Sequence, residues 1–219
     1  MADQDPIARS PIPSASPEVI AAGWAVSGRR SDAALTVTDC TALAKAVTKA
    51  LPDGVVARSL GVRLGRTARQ TWSCEGQDVP VLVVGSAPGE WTVLGPPGTQ
   101  GWLVDALAVT AGTATSDELV TVLDLTHGRA TLRLTGEQSA ELLAKECAVD
   151  LSDRMCPDGA ALRCAVAKVA TDVVRDDRDG VRSYLVHCER SAGRYLFDSL
   201  LDAGEEFGAE VDGLVGPGV

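Results

Sequence analysis

Hydrophobic and polar positions follow two periods along this chain, and the changes of period predict its elements. Residues 34–38 (ALTVT) are short and β-prone. Across 40–51, apolar residues fall at Leu43, Ala46, Val47, Ala50 and Leu51, the i, i+3, i+4, i+7, i+8 stripe of a core-facing helix. Pro52-Asp53-Gly54 would stop that helix. Residues 55–72, 79–85 and 91–94 read as strands, and a turn at Gly95-Pro96-Pro97-Gly98 leads to a short helix over about 100–109. Two more strand-like runs, 119–125 and 130–135, are joined by Thr126-His127-Gly128-Arg129. Leu132 and Leu134 alternate with Thr131 and Arg133, as in a sheet with one wet face. Thr135 and Gln138 fit a capping box for a helix over 137–147, whose stripe is Ala140, Leu143, Ala144 and Cys147. Strands at 162–174 and 183–188 flank a polar tip at 176–180, where Asp179-Gly180 is a two-residue hairpin signal. After Ser191 comes a helix with the stripe Leu196, Leu200, Ala203 and Phe207.

The ends look different from this middle. Pro6, Pro11, Pro13 and Pro17 stand among the first 19 residues, enough to prevent regular structure, so residues 1–30 read as a Pro-rich arm. Residues 208–219, with Gly216-Pro217-Gly218, read as flexible. Between the ends the anchors recur in order. ALTVT, a helix and Pro52-Asp53-Gly54 parallel TLRLT, a helix and Pro157-Asp158-Gly159. Leu35 then matches Leu132, Thr38 matches Thr135, Arg58 matches Arg163, and 102–107 match 195–200. This argues for an internal duplication. The expected organisation is α+β: an arm (1–30), two α+β repeats (31–110 and 111–208) sharing a core, and a tail (209–219), with helices covering mostly antiparallel sheet.

Composition narrows the function classes. The 219 residues are 45% hydrophobic and 23% charged, as in an ordinary globular protein able to bury a core. Twenty Lys and Arg against thirty Asp and Glu give a formal charge of −10, which repels nucleic acid. Arg63, Arg66 and Arg69 could line one face, and a solvated face or protein contact is the preferred reading. No signal-peptide-like run opens the chain and no stretch has the ~20 apolar residues of a membrane span, so a cytoplasmic location is expected.

Candidate chemistry is sparse. Cys40, Cys74, Cys147, Cys156, Cys164 and Cys188 form no CxxC pair and read as small buried apolar residues rather than zinc ligands or disulfides. There is no GxxxxGK[ST], no GxGxxG between strand and helix, and no GxSxG. The prolines of Gly95–Gly98 remove the N–H groups a phosphate cradle needs, which leaves a tight turn. His127 reads as a turn residue, with Gly128 supplying a positive φ. Asp124 is near it in the chain, with no known side-chain direction. His187, inside YLVHC, reads as a hydrogen-bonded sheet histidine. Cys147 ends its helix, where the dipole should raise a thiol pKa and disfavour reactivity. No catalytic, cofactor-binding or metal-binding residue is assigned.

Several phrases carry a family resemblance. DLTHGRATLRLTGEQSAELLAKECAVDL (124–151) closely resembles the gamma subunit of heterotetrameric sarcosine oxidase, where an LRLSG-like strand precedes a helix ending in AKGCPLDL and a PPG turn. Here the last two are AKECAVDL and CPDG. EWTVLGPPG (90–98), YLVHCERSAGRYLFDSLLDAGEEFG (184–208) and Arg9-Ser10-Pro11-Ile12 extend the likeness over nearly the whole chain, while 55–77 match only in pattern. The resemblance implies a folate-binding-domain fold like that of aminomethyltransferases, built as two swapped repeats. It also implies a non-catalytic structural subunit beside alpha, beta and delta chains. FAD, FMN, NAD, tetrahydrofolate and zinc would reside on those partners. The complex would convert sarcosine to glycine, pass the one-carbon unit to tetrahydrofolate and reduce oxygen to hydrogen peroxide. Alternatives are the equivalent subunit of an oxidase or dehydrogenase for another N-methyl or secondary amino acid, and a stand-alone folate-binding protein. A free aminomethyltransferase would need an additional C-terminal barrel, and the superfamily's iron–sulfur assembly protein would need KGCYxGQE, which breaks here after Cys147.

Overall fold

The computed structural model describes residues 6–74, 76–216 and 218. Residues 6–27, expected as an arm without regular structure, instead form a small sheet of β1 (Ala8–Arg9), β2 (Glu18–Ala21) and β3 (Trp24–Ser27). Then follow β4 (Thr36–Asp39), β5 (Ala44–Lys49), α1 (Val55–Leu60), β6 (Thr67–Cys74), β7 (Gln77–Ala87), β8 (Glu90–Gly95) and α2 (Gln100–Ala111). The same order repeats in β9 (Thr121–Asp124), β10 (Arg129–Thr135), α3 (Ser139–Glu146), β11 (Ala161–Val166), β12 (Val169–Arg175), β13 (Ser183–Glu189) and α4 (Gly193–Gly204). The last strand, β14 (Glu210–Asp212), pairs parallel with β4, so part of the expected flexible tail is sheet. Pro217 and Val219 lie outside the described residues.

The fold is α+β. One sheet has the order β6-β7-β8-β5-β9 and the other β11-β12-β13-β10-β4-β14. Equivalent strands occupy equivalent places, but β4 and β9 have crossed over. β4 runs into β5 along the chain yet pairs with β10, and β9 runs into β10 yet pairs with β5. Each repeat thus gives its first strand to the other's sheet.

A short sequence repeat makes both crossovers. Thr36-Val37-Thr38-Asp39-Cys40-Thr41 recurs as Thr121-Val122-Leu123-Asp124-Leu125-Thr126. Asp39 Oδ1 accepts the Thr41 amide at 2.9 Å, and Asp124 Oδ1 accepts the Thr126 amide at 2.8 Å, the side-chain turn that aspartate favours. Each threonine hydroxyl then accepts an amide from the other half: Thr131 N to Thr41 Oγ1 at 3.2 Å, Lys45 N to Thr126 Oγ1 at 3.0 Å. Backbone bonds complete the symmetry, Cys40 N to Thr131 O at 2.8 Å and Leu125 N to Lys45 O at 2.9 Å.

The duplication therefore exists in a register other than the one expected. Residues 40–51 hold β5 rather than a helix, because this central strand is buried on both faces and its apolar run has no clean period of two. Ala44 and Ala46 pack with Leu103 and Leu107 of α2, while Lys45 and Val47 lie on the alternate face. Pro52-Asp53-Gly54 precedes α1 but Pro157-Asp158-Gly159 precedes β11, so neither these turns nor Arg58 and Arg163 are equivalent. Residues 102–107 and 195–200 do correspond, each beginning at the third residue of α2 or α4. The strand expected over 55–72 begins as α1, ended by Gly61 at φ 68°. The strand expected over 162–174 is a hairpin turning at Ala167 and Lys168, both at positive φ without a glycine to signal it. Asp179 and Gly180 form the expected hairpin tip, at φ 52° and 80°. No capping box forms: Gln138 occupies the N-cap of α3 without a side-chain bond.

Helices cover the outer face of each sheet. α3 and α4 close one core on β10, β12 and β13, and α1 and α2 close another on β5, β7 and β8. Between the sheets, Leu82, Val84 and Leu94 meet Val174 and Leu185. That middle layer is apolar at one end only.

Candidate functional site

At its other end the middle layer is polar and encloses a cavity of about 120 Å³. Strand alternation puts Asp172 beside Val174 on the inward face of β12, and His187 beside Leu185 on β13. Register then lines up Arg163, Asp172 and His187 on three adjacent strands. Opposite them, Thr92, Val47 and Leu123 make a rung across β8, β5 and β9. Lys45, Lys49, Glu90, Leu125 and Arg129 complete the lining.

Charges in this wall are mostly paired. The Arg163 guanidinium forks onto Asp172, with Nη2 3.2 Å from Oδ2, and also reaches Glu90 Oε1 at 2.9 Å. Glu90 takes Lys49 Nζ at 3.1 Å on its other oxygen, so one ionic chain spans both sheets. Burial opposes the Glu90 carboxylate most strongly, but the hydrogen bonds from Arg163 and Lys49 together hold its pKa below the ordinary value. Lys45 donates to Thr41 O at 2.7 Å and Leu43 O at 2.6 Å. Burial pushes its ammonium down to about 7, against the attraction of Asp39.

His187 is the exception. It is 2% exposed, and neither ring nitrogen has a hydrogen-bond partner among the described residues. Nδ1 stands 3.7 Å from Asp172 Oδ2, too far for a hydrogen bond. Burial pushes its pKa down to about 4 despite Asp172, so the imidazole is neutral at pH 7. The expected hydrogen-bonded sheet histidine is in the strand but without the bond. The lining carries no cysteine or serine; its polar side chains are Lys45, Lys49, Glu90, Thr92, Arg129, Arg163, Asp172 and His187.

The other sequence candidates lie elsewhere. His127 is exposed on the crossover from β9 to β10, and its ring stacks on Trp24 with centroids 4.8 Å apart and planes 12° apart. Gly128 does not take a positive φ; instead the Gly128 and Arg129 amides both close on Leu125 O, at 3.0 and 3.2 Å. Asp124 is engaged with Thr126 rather than His127. Cys40, Cys156 and Cys188 are buried, whereas Cys147 and Cys164 are half-buried. The neighbouring Cys164 thiol pulls the Cys147 pKa down to about 6, outweighing burial and reversing the expectation from the helix end. The Cys74 side chain lies outside what is described. Arg63, Arg66 and Arg69 are exposed, and Arg69 pairs with the buried Asp176, which Arg133 also holds at 2.8 Å. Gly95–Gly98 is a turn between β8 and α2. A wider cleft of about 660 Å³, lined by Asp53, Arg58 and Arg63 among others, contains no buried ionisable group.

Lys45, Glu90, Arg163 and Asp172 were not singled out by sequence reasoning. Their signal was present in two places: a lysine inside LAKAV and an aspartate inside VATDVV, each a charge within an apolar run. Among the described residues, no group of three or more His, Cys, Asp and Glu could hold a metal ion. No helix there is long and apolar enough to cross a membrane.

No protein-family model matches the sequence, and no curated protein matches it significantly. Solved structures do match by fold. One chain of heterotetrameric sarcosine oxidase from Corynebacterium sp. U-96, solved in complex with pyrrole 2-carboxylate, superposes with a TM-score of 0.63 at 22% identity. The match covers 80% of this chain and 86% of that one. Glycine cleavage system aminomethyltransferase T from Bartonella henselae gives a TM-score of 0.68 at 14% identity, covering 90% of this chain but only 55% of that one. The duplicated, strand-swapped architecture described above is thus the fold shared with a sarcosine oxidase chain and with aminomethyltransferase T.

Proposed function

We propose that this chain is a non-catalytic structural subunit, equivalent to gamma, of a heterotetrameric flavin-dependent sarcosine oxidase. One observation carries the reading: the fold match runs over most of this chain and most of the oxidase chain, whereas it spans about half of the aminomethyltransferase. The partners in this reading are alpha, beta and delta subunits. FAD, FMN, NAD, tetrahydrofolate and zinc belong to them, and the assembled complex demethylates sarcosine to glycine with one-carbon transfer to tetrahydrofolate. Within it, the ionic chain Lys49–Glu90–Arg163–Asp172 fixes the two sheets against each other rather than turning over substrate. An equivalent subunit of an oxidase for another secondary amino acid fits the same fold. A stand-alone folate-binding protein is the third reading; the inter-sheet cavity of about 120 Å³ is too small for it, whereas the open cleft of about 660 Å³ falls within the roughly 300–1,000 Å³ of ordinary ligand pockets.

Co-expression tests the assignment. The chain purified alone should be colourless, and expression with flavin- and NAD-motif partner chains should yield a yellow complex retaining it in stoichiometric amount. Tight stoichiometric tetrahydrofolate binding by the isolated chain, or a fully active oxidase assembled without it, would overturn the reading.

A further inference from the structure

The polar end of the inter-sheet layer holds more than a structural ion-pair network requires. Arg163, Asp172, Glu90 and Lys49 satisfy one another, yet the buried His187 beside them is left with two nitrogens unpartnered among the described residues. Its cross-strand neighbour Thr131, fully buried, also has an unpartnered hydroxyl. Buried polar atoms in native proteins are hydrogen-bonded as a rule, so a pair of exceptions at one rung points to a missing partner. The cavity wall carries Lys49, Arg129 and Arg163, which pair with Glu90, Glu189 and Asp172, and Lys45, whose ammonium has only backbone carbonyls for partners. On the β5–β9 side, Val47, Leu123 and Leu125 add an apolar patch beside Lys45, Lys49 and Thr92. The cavity's volume of about 120 Å³ is roughly four times a water's share of the liquid.

From these features we infer that the cavity is a binding site for a short-chain monocarboxylate. The carboxylate head lies among the imidazole N–H of His187 and the surrounding cations, and a short aliphatic body packs on Val47, Leu123 and Leu125. A folate is far too large for this space, and an inorganic anion would leave the apolar patch without a contact. Binding does not depend on membership of an oxidase, so failure here and failure of the assembly reading are separable.

The chain has only two histidines, which makes the test clean. With [15N]histidine labelling of the full chain, sodium propionate should move the His187 ring resonances saturably in the millimolar range and leave exposed His127 unmoved. Sodium chloride and sodium sulfate at matched ionic strength should not reproduce the shift. Lys45→Met should weaken binding at least tenfold. Should that variant fail to fold, Leu123→Trp, which alters a partly exposed wall residue, should abolish the shift in a folded chain. An unchanged His187 signal, an equal response to sulfate or chloride, or an undiminished shift in Leu123→Trp would each overturn the assignment.

Discussion

Lys45 lies within a buried strand, its ammonium held by two backbone carbonyls. Its folded pKa of about 7 is below the ordinary 10.5, so between these values the unfolded chain keeps a proton that the folded chain has lost. Stability should therefore rise with pH across that window, by up to about 1.4 kcal/mol per pH unit. Lys45→Met should remove this rise, read as urea midpoints from pH 6.5 to 10.5; an unchanged slope would show that the lysine keeps its charge. Cys147 tests a second local effect. With its pKa near 6, it should be alkylated by iodoacetamide at pH 7 faster than the buried thiols. Cys164→Ala removes the neighbouring thiol and should slow that reaction several-fold, measured by peptide mass mapping. Sequence placed Cys147 at a helix end correctly, but the thiol that sets its pKa arrives from β11, a contact with no local trace.

Among the elements, the crossovers hold the clearest link from sequence to topology. Thr126 is fully buried, and its hydroxyl accepts the Lys45 amide across the swap. Thr126→Val keeps the shape but strands that amide, which should cost about 1–3 kcal/mol in denaturant unfolding. Thr41→Val should behave alike on the Thr131 side. If both were neutral, the hydroxyls would not be what holds the exchanged strands. The repeated T-V-x-D-x-T was legible in the sequence, but it lies 85 residues apart in a chain where ALTVT and TLRLT offered a more obvious match. The helical stripe over 40–51 misled for a physical reason. A strand buried on both faces need not alternate, and Leu43, Ala46 and Val47 then fall by chance at helical spacing.

For the whole molecule, the N-terminal segment is part of the structure rather than an appendage. Ile12 is buried in the core formed by α3, α4 and their sheet, while Trp24 stacks on His127 at the β9–β10 crossover. Ile12→Ala should destabilise the chain by about 2–5 kcal/mol. His127→Ala should remove only the stacking, about 0.5–1.5 kcal/mol. Hydrogen exchange should accelerate over residues 6–27 in both variants, and His127→Ala should leave turnover of an assembled oxidase within a few-fold. A much larger loss would give His127 a role in the reaction. The prolines identified this segment as irregular chain; they could not show that it docks, since docking depends on Trp24 and Ile12 finding partners more than a hundred residues away.

The sequence by itself determined the composition of the layers, the α+β class, the Asp179-Gly180 hairpin and the correspondence of α2 with α4. These depend on local propensity and on side-chain period, which neighbouring residues encode. Tertiary structure decided the exchange of β4 and β9, the register of the duplication, and the convergence of Lys45, Glu90, Arg163, Asp172 and His187 on one cavity. Those five residues come from five strands in two sheets, and only strand pairing brings them within reach of one another.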